Sequence, residues 1–228
     1  MSRESSWDLA PILRAKTTTD EVVDRLILAI ARGKKAPGER ITEAEVAQAF
    51  AVSRVPAREA MQKLQLRGVL VGGPDQRGLR VVDYGAKRLA DLYELRLAME
   101  TIFFRHVMGP EGDREALVHD LKDILKVMAS LSGSGDPVAL GSVDLDFHRA
   151  VARHSGNEMA VEIWEGLAQH LMIVFCRDWA DAADQTGEVH LHARLIDFIR
   201  EGDPADINDV LLNHFSTPLA RARQAGTA

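Results

Sequence analysis

A single cysteine, few aromatic residues and the lack of any apolar run read as membrane-spanning set the first limits on this 228-residue chain. With Cys176 alone, no intramolecular disulfide can form, and a reducing, cytoplasmic setting is expected. Cys176 sits in the run LMIVFC and is read as a small core residue, not a nucleophile. The N-terminal MSRESSWDLAP has no apolar stretch of signal-peptide length, so no membrane partner is expected. What remains is ordinary globular composition, 46% hydrophobic and 27% charged, enough for one large or two small domains.

Charge is divided unevenly. The formal net charge is −6, yet residues 1–84 carry 14 Lys+Arg against 11 Asp+Glu, and residues 85–228 carry 14 against 23. A front of +3 and a rear of −9 predict two domains with different partners.

After a loosely ordered arm over residues 1–17, Thr19 can cap a helix through Val22, Val23, Leu26, Ile27 and Ile30, stopped by Gly33. KKAPGER is a turn on Pro37-Gly38. Thr42 with Glu45 forms a capping box for a short helix, Glu43 to Phe50, with Val46, Ala47 and Phe50 turned inward. Ser53 then caps the next helix, with Pro56 in its first turn and Gly68 ending it; Ala60, Met61, Leu64 and Leu66 form the apolar stripe. Arg54 and Arg58 lie one turn apart where the helix dipole disfavours cations, which implies an anionic partner outside. Val69–Val71 and Leu79–Val82 read as a β-hairpin with Arg77-Gly78 at its tip. Three helices and a basic-tipped hairpin make a winged helix-turn-helix over residues 18–84, able to place a helix in a major groove and a wing on the backbone.

The segment PGERITEAEVAQAFAVSRVPAREAMQKLQLRGVLVGGPDQRGLRVV resembles the DNA-binding domain of the GntR family of bacterial transcription regulators. The resemblance implies that Ser53, Arg54 and Arg58 contact double-stranded DNA, with Arg77 and Gly78 in the wing. Two positions depart from the pattern. Ala44 stands where an arginine is frequent, and Val55 where a threonine is frequent, which shifts the DNA contact onto Arg54 and Arg58.

From Ala86 the pattern is long helices with short breaks: Ala86–Met108, Glu111–Leu131, Pro137–Ser155, Glu158–Ala180, Glu188–Arg200 and Pro204–Arg223. The expected architecture for residues 85–228 is an all-helical effector-binding and dimerisation domain, an antiparallel bundle of six to seven helices. Asp144 and His148 are four apart and share a helix face. His192 and His214 flank the Gly202-Asp203 turn at nearly equal separations, which puts them at one height on antiparallel helices. D-x-x-x-H alone is more often an ordinary surface pair, but one Asp and three His converging would suit a divalent metal: zinc first, then nickel, iron or manganese.

The pieces YELRLAME, DLDFHRAVARHSGN, HARLIDFIREGD and NDVLLNHF resemble the effector domain of the FadR-type subgroup of that family. The resemblance implies metal ligation by Asp144, His148, His192 and His214, and a small carboxylate effector held with help from Arg96. Arg96 could equally pair with Glu100 one turn away, and Asn157 could bind the effector or cap a helix. Leu191 departs from the acidic residue frequent before the third ligand, weakening its outer support. His106, His119, His154, His170 and His190 have no ligand role on spacing, and His119-Asp120 matches the doublet of HD-type phosphohydrolases only as a doublet. The expected function is a ligand-responsive regulator, a repressor, binding a palindromic operator as a homodimer. The rival is a metal-dependent hydrolase or oxygenase. It lacks a general base, since Asp146 is two residues from both Asp144 and His148 and points elsewhere.

Overall fold

The computed structural model describes residues 17–73, 78–181 and 185–216. Helix α1 (Thr18–Ala31) is capped by Thr17, not by Thr19. The Asp20 amide donates to the Thr17 hydroxyl, and the Thr17 amide donates to the Asp20 carboxylate, both at 3.2 Å. Thr19 has Val22 three places on, which cannot return such a bond. Its own hydroxyl is turned inward and donates to Glu59 at 2.7 Å.

Strand β1 (Arg40–Ile41) begins on the last residue of the stretch read as a turn and is not among the expected elements. Two residues carry too little alternation to be seen in sequence. Helix α2 (Glu43–Ala49) has the expected Thr42–Glu45 capping box, and Val46 is buried. Ala51, at φ 53°, turns the chain into helix α3 (Arg54–Leu66). Ser53 occupies the cap position in extended conformation, but its side chain makes no cap hydrogen bond. The buried stripe of α3 is Ala57, Ala60, Met61 and Leu64. Leu66, two residues beyond Leu64, turns to the other side and is 89% exposed, so it is not a core residue.

Strands β2 (Leu70–Gly72) and β3 (Leu79–Val81) form the hairpin. The sheet order is β1-β3-β2, antiparallel throughout, with Val71 opposite Arg80 and Ile41 opposite Leu79. Three helices and this sheet make the expected winged helix. Arg77, expected at the hairpin tip, lies outside the described residues.

The rest is helical: α4 (Ala86–Val107), α5 (Arg114–Leu131), α6 (Pro137–His154), α7 (Glu158–Asp181), α8 (Gln185–Glu201), a 3-10 turn (Pro204–Asp206) and α9 (Ile207–His214). Helix α5 starts at Arg114, three residues later than expected, because the Asp113 carboxylate accepts from the Ala116 amide and sets the start there. The last expected helix is broken into the 3-10 turn and α9, and its predicted end beyond residue 216 lies outside the described residues. Helix α6 packs on α5 and α7, α8 packs on α5, and α4 packs on α6 and α9.

Helix α7 corrects one expectation. Glu158–Ala180 is long and apolar enough, by length and composition, to cross a membrane. The fold turns that apolarity inward: Trp164, Ala168 and every residue from Leu171 to Cys176 are buried. The helix is covered by α6 on one side and α1 on the other, so its middle is apolar all round. Cys176 belongs to this run, and burial pushes its thiol up to about 12, a core residue and not a nucleophile.

Candidate metal centre and nucleic-acid interface

Asp144 and His148 stand one turn apart on α6, and both project into the bundle. His192 comes from α8 and His214 from the last turn of α9. All four are buried, and His148 completely. A ring nitrogen of each of the three histidines lies within 4.8 Å of the others. His148 Nε2 and His192 Nε2 approach the same Asp144 oxygen at 3.4 and 3.3 Å.

Outer partners fix the rings. His148 Nδ1–H donates to Glu100 at 2.9 Å, and His192 Nδ1–H donates to the Glu188 carbonyl at 2.9 Å. Each Nε2 therefore keeps its lone pair turned inward, the arrangement that ligating imidazoles require. Trp179 Nε1–H donates to the second Asp144 oxygen at 2.8 Å. Burial works against the Asp144 charge, but His192 and His148 outweigh it and hold its carboxyl well below the usual range. Burial first, and then the His192, His148 and Arg96 side chains packed around it, push the His214 imidazole well down, so it is neutral. Its Nδ1 is buried without a hydrogen-bond partner. Three imidazoles, one carboxylate and an orphaned buried nitrogen are a donor set that fits a borderline divalent cation.

Arg96 forms one of its two expected contacts and adds a relation that spacing could not give. It is almost fully buried, and its Nε–H donates to Glu100 at 2.7 Å, so the pair within α4 is formed. Its Nη2–H also donates to His148 Nε2 at 2.7 Å. Burial lowers the His148 imidazole and Glu100 raises it, with a net upward shift. A donor at Nε2 nevertheless requires that nitrogen to accept, so this packing holds the neutral ring. The guanidinium lies 4.0 Å from the Phe215 ring centre and 4.7 Å from that of Phe175. The cavity shared by Arg96, Asp144, His192 and His214 is about 30 Å³, room for an ion or a water and too small for an organic acid.

Asn157 is elsewhere. Its side-chain oxygen accepts from the Ala160 amide at 3.1 Å, so it caps α7 and does not line this cavity. Asp146 is exposed and accepts from Arg149, pointing away from the cluster as expected. Asp120 accepts from His154 at 2.9 Å, so the His119-Asp120 doublet is split between separate surface pairs.

At the other end, Ser53, Arg54 and Arg58 are exposed on α3. Arg54, Arg58 and Gly78 line one surface groove with Ala44, between α2, α3 and the wing. Arg58 makes a 3.4 Å ion pair with Glu43, both about half exposed, a contact weak enough to exchange for a phosphate. The groove also holds Arg40, Gln62 and Gln65, which sequence reasoning passed over. Gln62 and Gln65 follow Arg58 at helical spacing, and glutamine is a base-reading side chain. Gly78 has φ +76°, and a Cβ there would meet Arg40 Nε at 2.9 Å and the Ile41 carbonyl at 3.2 Å. Glycine suits this position, where the left-handed backbone and the close approach of β1 both disfavour a side chain.

Residues 18–81 match the family model "Bacterial regulatory proteins, gntR family", and residues 91–217 match that of the FCD domain. The chain belongs to the GntR family. It is a transcriptional regulator carrying an FCD domain. Among curated relatives, it is 31% identical to the Nta operon transcriptional regulator of Aminobacter aminovorans, over 68% of this chain and 72% of that one. It is 29% identical to the gluconate operon transcriptional repressor of Bacillus subtilis, over 68% and 62%. Among solved structures, E. coli McbR/YncC superposes with a TM-score of 0.72 at 20% identity, covering 91% of this chain and 98% of that one. The matched domains and named relatives are regulators, not enzymes.

Proposed function

We propose that this regulator is a repressor whose operator affinity is set by a divalent metal and a small organic or sugar acid bound at the histidine cluster. Asp144, His148, His192 and His214 would hold the metal, zinc first among candidates. When bound, the metal supplies an electrophilic anchor for an anionic ligand. The observation that carries this reading is the convergence of one carboxylate and three imidazoles, buried and braced from outside, in a chain that presents Arg54 and Arg58 at its far end.

Ser53, Arg54 and Arg58, with Gly78 and Arg77 in the wing, are assigned to double-stranded DNA, and Arg40, Gln62 and Gln65 join them. Arginines and a glycine at the wing suit phosphate positioning, and the glutamines suit base edges. A homodimer would read a palindromic operator, one unit per half-site. Leu95 and Ile102 on α4 and Met159 and Ile163 on α7 are exposed apolar residues on two helices that touch through Phe103 and Trp164. They offer a face for the second copy. Work in the bacterial cytoplasm fits the chain's single, buried cysteine.

Arg96 is the group that would receive the acid's carboxylate. Its present engagement with His148 and the small cavity mean that metal and acid must first rearrange it. Thermal-shift screening of organic and sugar acids, with zinc and with chelator, tests the reading. Stabilisation by an acid in the presence of zinc alone is expected. An equal shift in chelated protein would contradict it.

A further inference from the structure

The C-terminal end of α3 is held by the helical part of the molecule at two adjacent carbonyls. His170, on α7, approaches the Arg67 carbonyl with Nε2 at 2.7 Å. A carbonyl has no proton to give, so Nε2–H donates and Nδ1 must accept. Its donor is the Tyr84 hydroxyl at 2.8 Å. Arg88, in the first turn of α4, donates to the next carbonyl, that of Gly68, at 2.8 Å. Tyr84 lies between α4 and the wing, packed against the His170 ring with centroids 5.9 Å apart, and its carbonyl accepts from Arg177. Tyr84 and His170 are both buried.

Helix α7 connects this junction to the histidine site. Phe175 and Trp179, five and nine residues beyond His170, line the cavity there. Trp179 holds Asp144, and the Phe175 ring lies against Arg96 and His148. At about 1.5 Å per residue, the two ends of this segment are only ~14 Å apart along one helix. Its middle, Leu171–Cys176, is buried all round and does not bend freely. A shift of α7 at the site must appear at His170, and from there at the last turn of the DNA-facing helix.

We propose that His170 is the coupling residue between the two ends of this regulator, transmitting the state of the histidine site along α7 to the C-terminus of α3. This rests on the reading of that cluster as the sensor. It adds a named route and a positioning residue that touches neither metal nor DNA.

The test uses the full chain, zinc alone as probe, and an operator selected from random DNA by the wild-type protein. His170→Leu keeps bulk and removes both hydrogen bonds. His170→Gln can donate to Arg67 and accept from Tyr84, and serves as the rescue. In the wild type, zinc is expected to change operator affinity and backbone hydrogen exchange over residues 64–70 by about fivefold or more. In His170→Leu, zinc stoichiometry stays at the wild-type value while both responses fall to within about twofold. His170→Gln restores them. Tyr84→Phe removes one hydroxyl, is expected to lose part of both responses, and replaces His170→Leu if that variant folds poorly. Full responses in His170→Leu, or none in a zinc-loaded wild type, overturn the coupling. A wild type that takes up no zinc overturns the sensor reading itself, and the stoichiometry tells that failure from the others.

Discussion

Arg96 donates to His148 through the same ring nitrogen that turns toward Asp144, at 2.7 Å. The guanidinium thus satisfies a histidine that a metal would otherwise claim, while its Nε–H neutralises Glu100. Arginine and metal compete for one lone pair.

Replacing Arg96 with Met should therefore be costly in chelated protein, because the buried Glu100 loses its arginine and keeps only the His148 ring nitrogen as partner. A destabilisation of about 3–5 kcal/mol in urea unfolding is expected, partly recovered by zinc, whose charge takes over the arginine's role. A variant as stable as wild type without metal would show that the buried pair does not support the fold.

His192→Ala and His214→Ala should each lower metal content, measured by elemental analysis. Zinc at one hundred times its dissociation constant should stabilise the wild type by about 2.7 kcal/mol, and chelator should remove that gain. Unchanged stoichiometry in either variant would mean that the ligand set is wrong.

At the other end, Arg54→Ala combined with Arg58→Ala should abolish operator binding and leave circular dichroism unchanged, since both side chains are exposed. If single variants retain measurable binding, the slope of log affinity against log salt should become shallower by about 0.9 for each phosphate that is no longer neutralised. Retained wild-type affinity in the double variant would refute the assignment of α3.

The junction carries a pH dependence of definite sign. Burial pushes the His170 imidazole down, Arg88 adds to it, and the Arg67 carbonyl opposes it. The unfolded chain, with a value near 6.5, binds the proton more readily than the folded one. Stability from this group is complete above that value and declines as pH falls through it toward the lowered folded value. Unfolding free energies of wild type and His170→Gln, compared from about pH 7.5 to 5.5, should converge as pH falls. A constant difference would remove this contribution.

Much of the site was legible because its spacing is helical. Asp144 and His148 share a face by the four-residue rule, and His192 and His214 meet because the Gly202-Asp203 turn folds α8 back toward α9. The Thr42–Glu45 box and the Gly68 stop are local signals and appear as read. What failed depended on choices made in three dimensions. Three threonines compete for one cap, and a reciprocal bond from Asp20 selects Thr17. Leu66 is apolar but off the stripe. Strand β1 exists only because β3 lies beside it. Arg96 and His148 are 52 residues apart, and His170 meets Arg67 across 103, distances over which periodicity says nothing.

The most direct test of the whole account is operator affinity, by fluorescence anisotropy, for zinc-loaded and chelated protein across a panel of organic and sugar acids. The account predicts at least one acid that weakens operator binding about fivefold or more in zinc-loaded protein, with no effect once the metal is removed. Operator binding indifferent to every acid in zinc-loaded protein, or an acid response that survives chelation, would contradict it.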